Sequence, residues 1–192
     1  NTTQSAVRGT VYGVILNDRD SLARLGGQLE DAPYKGAPKS PPLYLKPANT
    51  VVGDGAVVQL PPGANAVEVG ATLGVLFKRP AARLTAAEAP AVIAGYVVVA
   101  DLSLPHSSYY RPAIREKCFD GACPVGARLV SPADAGELAR VVINTWIDGE
   151  LAQSRCLAEL VRDVPTLISE VSHFMTLGAD DMLLVGVHWQ AA

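Results

Sequence analysis

The chain has 192 residues, 49% hydrophobic and 18% charged, which is enough for one hydrophobic core in the usual size range of a domain. Its net charge of -3 comes from intermixed acids and bases, which argues against nucleic acid and anionic membranes as partners. The longest uncharged apolar run, Ala91 to Ala100, is far shorter than the roughly 20 residues that a membrane-spanning helix needs. We therefore expect one domain over residues 1–192.

The first half of the chain is predicted to be mostly strand and turn. Val11 to Leu16 has the pattern of a strand, and Arg19 to Leu29 that of a short helix that Gly26 and Gly27 weaken. Further on we expect an extended loop at residues 35–42, a strand at 43–45, turns at 53–55 and 61–63, and a strand at 67–77.

The second half adds a buried strand and two clearer local units. Residues 86–93 are predicted to form a short helix that Pro90 makes irregular, and Gly95 to Ala100 a strand buried on both faces and followed by Asp101. Asp148-Gly149, between strand-like residues 140–147 and 150–153, predicts a hairpin. Asp163 is expected to cap a helix over residues 164–174, before a last strand at 183–186. The apolar stripe of that helix is predicted to be Leu167, Ile168, Val171 and Phe174.

Three cysteines, an odd number, favour a reducing compartment, and we expect a cytoplasmic protein. Cys118 and Cys123 have no second Cys or His pair nearby to complete a tetrahedral zinc site. We interpret both, and Cys156, as small packing residues. Trp146 and Trp189 are likewise interpreted as packing residues.

The segment that follows Asp101 carries the most specific pattern in the chain. It runs Ser-Leu-Pro-His-Ser-Ser-Tyr-Tyr-Arg-Pro-Ala-Ile-Arg-Glu-Lys-Cys-Phe-Asp-Gly-Ala-Cys-Pro-Val-Gly over residues 103–126. With the buried strand before it, this segment resembles the fumarylacetoacetate hydrolase family, whose members cleave or isomerise oxo acids at a divalent metal. The resemblance extends over nearly the whole chain, from Arg8 to the strand at residues 182–185. Only residues 1–7 fall outside it, and we expect them to form a flexible N-terminal extension. It implies a β-rich α+β fold, a fumarylacetoacetate-hydrolase-like β-roll or sandwich with short peripheral helices.

The amino-acid sequence of the segment is most similar to a bifunctional isomerase/decarboxylase branch of that family. Members of this branch join two homologous halves, which some bacteria make as separate subunits. The resemblance implies that the chain is a subunit of such an enzyme, with a small oxo di- or tricarboxylate as substrate. Its implied protein partner is a homologous second subunit, a further copy of itself, or both.

The metal position departs from the family pattern. The family holds Mg²⁺ or Mn²⁺ with a Glu-x-Glu pair on one strand and an Asp after the next buried strand. Here Asp101 stands at the Asp position, but Gly70 and Thr72 stand where the two glutamates belong. A single carboxylate has too little negative charge to offset the cost of removing water molecules from Mg²⁺, so we expect no tight metal site. Glu68 faces the same way as Gly70 but lies about 6–7 Å further along the strand, which makes it a possible substitute ligand.

The other functional positions are partly retained. The resemblance implies catalytic roles for Lys117 and Asp120, and substrate binding by Lys46, Asn49, Tyr110 and Arg111. Each of these polar residues is also compatible with an ordinary surface role. The family's His and Glu acid/base pair reads Ser21 and Arg24, and its closing Gly-Thr-Pro motif reads Gly186-Val-His188.

Three functions stay open at this level. The chain is part of an isomerase/decarboxylase, a catalytically silent structural partner of a metal-binding sister subunit, or a diverged protein that binds a small oxo acid. The first two differ in whether the isolated chain binds Mg²⁺ or Mn²⁺ and turns over substrate.

Overall fold

A five-stranded mixed sheet is the centre of the fold. The structure is a computed structural model that describes residues 7–106 and 112–186. The strands of this sheet are β1 (Val11–Val14), β2 (Leu43–Lys46), β4 (Glu68–Phe77), β5 (Ile93–Ser103) and β9 (Met182–Leu184). The strand order is β2-β1-β9-β4-β5, in which β1 pairs parallel with β9 and the other neighbours are antiparallel.

Two small sheets and four short helices complete the described part of the chain. The sheets pair β3 (Val51–Val52) with β6 (Cys123–Pro124), and β7 (Val142–Ile147) with β8 (Glu150–Cys156). The α-helices are α1 (Arg19–Leu25), α2 (Ile114–Lys117), α3 (Pro132–Ala135) and α4 (Val164–Phe174). Single 3₁₀ turns lie at Gly26–Leu29, Ala48–Thr50, Ala89–Val92, Leu138–Arg140 and Leu157–Glu159. The β-rich α+β prediction is confirmed.

Apolar side chains cover both faces of the central sheet. On one face Leu73, Val75 and Phe77 of β4 pack with Leu167, Ile168 and Val171 of α4 in the largest cluster. On the other face Val97 and Val99 of β5 pack with Cys123, Val125, Met182 and Leu184. Burial on both faces over most of their length explains why β4 and β5 are mainly apolar instead of alternating.

The predicted hairpin and the predicted long helix are both confirmed. Asp148 and Gly149 join β7 to β8 with φ values of 51° and 83°, as a turn with two left-handed central residues requires. Asp163 accepts a hydrogen bond from the Thr166 N–H at 2.9 Å and caps α4.

Several sequence predictions are wrong in detail. Residues 86–93 form only the 3₁₀ turn Ala89–Val92, because Pro90 has no N–H with which to continue an α-helix. Val98 is 53% exposed, so β5 is not buried on both faces throughout, and it extends past Asp101 to Ser103. Phe174, at the last turn of α4, is 59% exposed instead of joining the apolar stripe.

Trp146 is also misassigned as a packing residue, since it is 61% exposed on the hairpin. The three cysteines are free thiols, with Cys123 buried and Cys118 and Cys156 partly buried. Trp189 lies outside the described residues. Within residues 7–106 and 112–186 no helix is long and apolar enough to cross a membrane.

Candidate functional site

Asp101 lies in β5 with its carboxylate completely buried. β4 runs antiparallel beside it, and the register sets Gly70 directly opposite Asp101 and Thr72 opposite Val99. The side chains around this carboxylate come from two other elements, β2 and α2.

Two lysines and a tyrosine surround the Asp101 carboxylate. Lys46 Nζ lies 2.6 Å from Oδ1, and Lys117 Nζ lies 3.1 Å from Oδ2. The Tyr44 hydroxyl donates a hydrogen bond to Oδ2. Lys117 Nζ also stands 4.3 Å from the centre of the Tyr44 ring, a cation–π contact. We call Tyr44, Lys46, Asp101 and Lys117 the Asp101 cluster.

Local strand geometry explains how β2 supplies two members of this cluster. Tyr44 and Lys46 are two residues apart, so their side chains leave the same face of the strand. Gly13 pairs with Tyr44 across β1 and β2, and a Cβ built on Gly13 would lie only 2.0 Å from Tyr44 Cζ. The missing side chain at Gly13 therefore makes room for the ring that reaches Asp101.

The electrostatics of the cluster are those of a buried ionic network. Burial alone raises the pKa of Asp101, but the Lys117 and Lys46 ammonium groups outweigh it and the net pKa lies below the ordinary value of 3.8. Burial lowers the pKa of Lys117, and the nearby Lys46 adds to this, while Asp101 opposes both. Tyr44 is partly exposed as a residue, yet its hydroxyl points inward, and burial with the Asp101 charge raises its pKa well above 10.0.

Asn49 and Asp120, two other candidates from the sequence, contact each other. Asn49 Nδ2 donates to Asp120 Oδ1 at 2.7 Å and to the Cys118 carbonyl at 3.1 Å. Both residues are exposed and line an open groove of about 600 Å³ with Phe119 and Leu60. The structure thus brings Lys46 and Lys117 to Asp101, and joins Asn49 to Asp120 as a separate pair.

The remaining candidates have other positions. Glu68 pairs with Ser103, two residues along β4 from Gly70, and is partly buried. Burial raises the pKa of Glu68, although His106 and Lys117 partly offset that effect. Tyr110, Arg111 and His188 lie outside the described residues.

The positions of the family's acid/base pair and closing motif serve local structure. Ser21 is buried in α1, and its N–H donates to Asp18 at 2.8 Å, while Arg24 forms an exposed ion pair with Asp20 at 3.7 Å. Thr72 donates to the Gly186 carbonyl at 2.7 Å and ties β4 to the end of β9.

These residues do not fit a divalent metal. Gly70 offers no oxygen from a side chain, and Thr72 uses its hydroxyl proton on Gly186. Both oxygens of Asp101 face positively charged groups. Over the described ranges, no group of three or more His, Cys, Asp or Glu side chains is arranged to hold a metal ion.

Tyr44 is the member of the cluster that the sequence analysis did not select. Its spacing to Lys46 in an extended segment was the available indication, because alternate strand residues share a face. The role of Gly13 depends on the pairing of β1 with β2, which a single sequence does not reveal.

The mixed sheet and its peripheral helices define a fumarylacetoacetate-hydrolase-like fold. The profile of the fumarylacetoacetate (FAA) hydrolase C-terminal family matches residues 10–190. The chain belongs to the fumarylacetoacetate hydrolase family.

One curated relative is similar to this chain over most of this chain's length. The 4-hydroxyphenylacetate degradation bifunctional isomerase/decarboxylase of Escherichia coli is 36% identical over 180 residues, which cover 94% of this chain and 41% of that protein. This chain therefore spans about two-fifths of the length of that curated relative.

Solved structures support the same fold. The 5-carboxymethyl-2-hydroxymuconate delta-isomerase of Mycobacterium smegmatis matches with a TM-score of 0.78 and 27% identity, over 95% of this chain and 68% of that one. Fumarylpyruvate hydrolase from Pseudomonas aeruginosa, solved with Mn²⁺ and pyruvate, matches with a TM-score of 0.76 over 93% of this chain and 77% of that one. Its 23% identity is evidence for the fold alone.

Proposed function

We propose that this chain is a metal-deficient subunit of a bifunctional 5-carboxymethyl-2-hydroxymuconate isomerase and 5-oxopent-3-ene-1,2,5-tricarboxylate decarboxylase in 4-hydroxyphenylacetate catabolism. The pathway is supported by similarity to the Escherichia coli isomerase/decarboxylase and to the Mycobacterium smegmatis isomerase. The observation that carries the metal-deficient part is the Asp101 carboxylate, which faces Lys46, Lys117 and Tyr44 while Gly70 stands opposite it.

In this proposal the chain contributes basic groups instead of a metal ion. Lys117 and Asp120 are the proposed catalytic positions, and Asn49, Tyr110 and Arg111 the proposed substrate-binding positions. Ammonium, guanidinium and amide donors suit a di- or tricarboxylate, because hydrogen bonds to ionised carboxylates are the stronger ones. The family's Mg²⁺ or Mn²⁺ would then belong to a homologous chain that keeps both glutamates.

The second candidate function is a silent structural partner, and two observations favour it. More than half of the Escherichia coli relative lies outside the part that this chain matches, which leaves room there for a further domain. The outer face of the β7–β8 hairpin carries Val142, Trp146 and Leu151, each more than half exposed. Exposed apolar side chains on one face are typical of protein interfaces, and we assign this face to a homologous subunit.

A third candidate, a binding protein for a small oxo acid, needs only the basic residues. All three alternatives are compatible with a single fumarylacetoacetate-hydrolase-like domain over residues 1–192. They are also compatible with the reducing cytoplasm that three free cysteines favour.

Measurement of substrate turnover by the purified chain distinguishes the three candidate functions. We expect no conversion of either substrate by the chain alone with Mn²⁺, and conversion after mixing with a homologous chain that carries both glutamates. Conversion by the chain alone, lost in Asp101→Ala, would contradict metal deficiency.

Two further outcomes distinguish the partner from the binding protein. If a complex forms on size exclusion and activity is unchanged by Lys117→Met in this chain, the chain is a silent partner. If no complex forms but a stable 2-oxo dicarboxylate binds, the chain is a binding protein.

A further inference from the structure

Lys46 occupies a site built from oxygen atoms. Its side chain is fully buried, and its Nζ donates to the carbonyls of Leu102 and Lys117 at 2.7 Å each and of Ala122 at 2.9 Å. Asp101 Oδ1 completes the surroundings at 2.6 Å. An ammonium group has three protons, and the three carbonyls take all of them, so the contact with Oδ1 is an ion pair.

This arrangement is that of a bound cation. Backbone carbonyls and a carboxylate are the ligands that proteins offer to hard cations, and here they surround the end of a side chain. Three of the four oxygens belong to residues 102–122, whereas Lys46 comes from the distant strand β2. The ammonium group therefore links β2 to Leu102 of β5, to Lys117 of α2 and to Ala122.

We propose that Lys46 is a tethered cation that organises residues 102–106 and 112–122 and holds Asp101 and Lys117 in place without a metal. Lys46 is thus a positioning residue in this account, instead of a direct ligand for substrate. The proposal does not depend on which reaction the chain supports, because it concerns an internal site.

Truncation of the Lys46 side chain tests this proposal. Lys46→Ala deletes three methylene groups and the ammonium, which together have the size of propylammonium. We expect Lys46→Ala to have a lower Tm than the natural chain, because Asp101 and three carbonyls lose a buried partner. Propylammonium chloride should raise the Tm of Lys46→Ala by several degrees, since a cation that binds only the folded state stabilises it by mass action.

The controls separate this rescue from general salt effects. Tetramethylammonium chloride at the same ionic strength has no N–H donors and should not rescue Lys46→Ala. In Lys46→Met the methionine side chain fills the space, so propylammonium should leave its Tm unchanged.

Hydrogen exchange shows whether the rescue acts on the proposed segment. The amides of Leu102 and Leu104 donate to Ala122 and Glu116, and their protection should fall in Lys46→Ala and return with propylammonium. Protection in α4 should change little. A Lys46→Ala protein that is folded but gains nothing specific from propylammonium would overturn the proposal.

If Lys46→Ala fails to fold, variants based on Lys46→Met test the proposal instead. In that case the Tm loss caused by Asp101→Asn is measured in the natural chain and in the Lys46→Met background. If the Lys46 ammonium is a counter-ion of Asp101, Asp101→Asn should cost less in Lys46→Met, because only the Lys117 ammonium is then left without its carboxylate. The same Tm loss in both backgrounds would contradict the proposed role.

Discussion

Asp101 carries the negative charge in a cluster with two buried ammonium groups. Its carboxylate and the Lys46 side chain have no exposure, and Lys117 is 4% exposed. In a buried ion pair the cost of desolvation is offset only while every partner is present. We therefore expect the loss of Asp101 alone to destabilise the fold, whatever the role of Asp101 in catalysis.

Replacement of Asp101 tests this stabilising role. Asp101→Asn keeps the size of the side chain but leaves two ammonium groups buried without a carboxylate. We expect the free energy of unfolding to fall by about 3–5 kcal/mol, measured by urea denaturation. Asp120→Asn is the matched control, because Asp120 is exposed and its amide replacement can still accept from Asn49. Equal losses in the two variants would contradict this role.

Tyr44 gives a pH-dependent prediction. Burial, reinforced by Asp101, raises its pKa above 10.0, so the folded protein keeps a proton that the unfolded chain loses. Stability from this group is complete below about pH 10 and is lost as the pH rises beyond it. Tyr44→Phe should therefore be less stable than the natural chain near neutral pH, since it lacks the hydrogen bond to Asp101.

The difference between the two proteins should shrink at alkaline pH. Urea denaturation from about pH 8 to about pH 11 measures the gap between natural and Tyr44→Phe proteins. A gap that stays constant over this range would show that Tyr44 does not titrate abnormally.

At the scale of elements, the pairing of β1 with β2 places Tyr44 correctly. Gly13→Ala would set a methyl group 2.0 Å from Tyr44 Cζ and push the ring away from Asp101. We expect a loss of about 1–3 kcal/mol in the free energy of unfolding. Gly27→Ala is the control, because nothing lies within 4 Å of its Cβ position.

A second substitution separates this contact from a general effect on the strand. In a Tyr44→Ala background the ring is absent, so Gly13→Ala should cost much less than in the natural chain. The same cost in both backgrounds would mean that the ring is not what Gly13 accommodates.

The elements that the sequence predicted well are those fixed by local chemistry. Asp148-Gly149 determines a two-residue turn, and Asp163 with the apolar spacing of α4 determines a helix. Trp146 and Phe174 were misassigned because exposure depends on what lies across from an element. The outer face of the hairpin and the last turn of α4 have no covering layer within the described residues.

At the scale of the whole molecule, the candidate site was only partly predictable. Spacing and family resemblance identified Asp101, Lys46 and Lys117, but their mutual contacts depend on long-range pairing of β2, β5 and α2. The sequence could show that Gly70 and Thr72 carry no carboxylate. It could not show that the carboxylate of Asp101 is paired with two ammonium groups and accepts a hydrogen bond from Tyr44.

If the absence of the family's two glutamates explains the lack of a metal site, introducing glutamates at Gly70 and Thr72 should create one. Gly70→Glu combined with Thr72→Glu adds two carboxylates on the strand beside Asp101. We expect this variant to gain Mn²⁺ affinity in the micromolar to millimolar range, measured by calorimetry. The Gly70→Gln and Thr72→Gln pair has the same size without the charge and should bind no Mn²⁺. Equal behaviour of the two pairs would contradict the charge argument.

The most direct measurement is a calorimetric titration of the natural chain with Mg²⁺ and Mn²⁺, repeated with a stable 2-oxo dicarboxylate present. Because the Asp101 carboxylate already faces Lys46 and Lys117, we predict no metal binding in either condition. Micromolar to millimolar binding that Asp101→Ala abolishes would mean that Asp101 is a metal ligand, and would contradict this account.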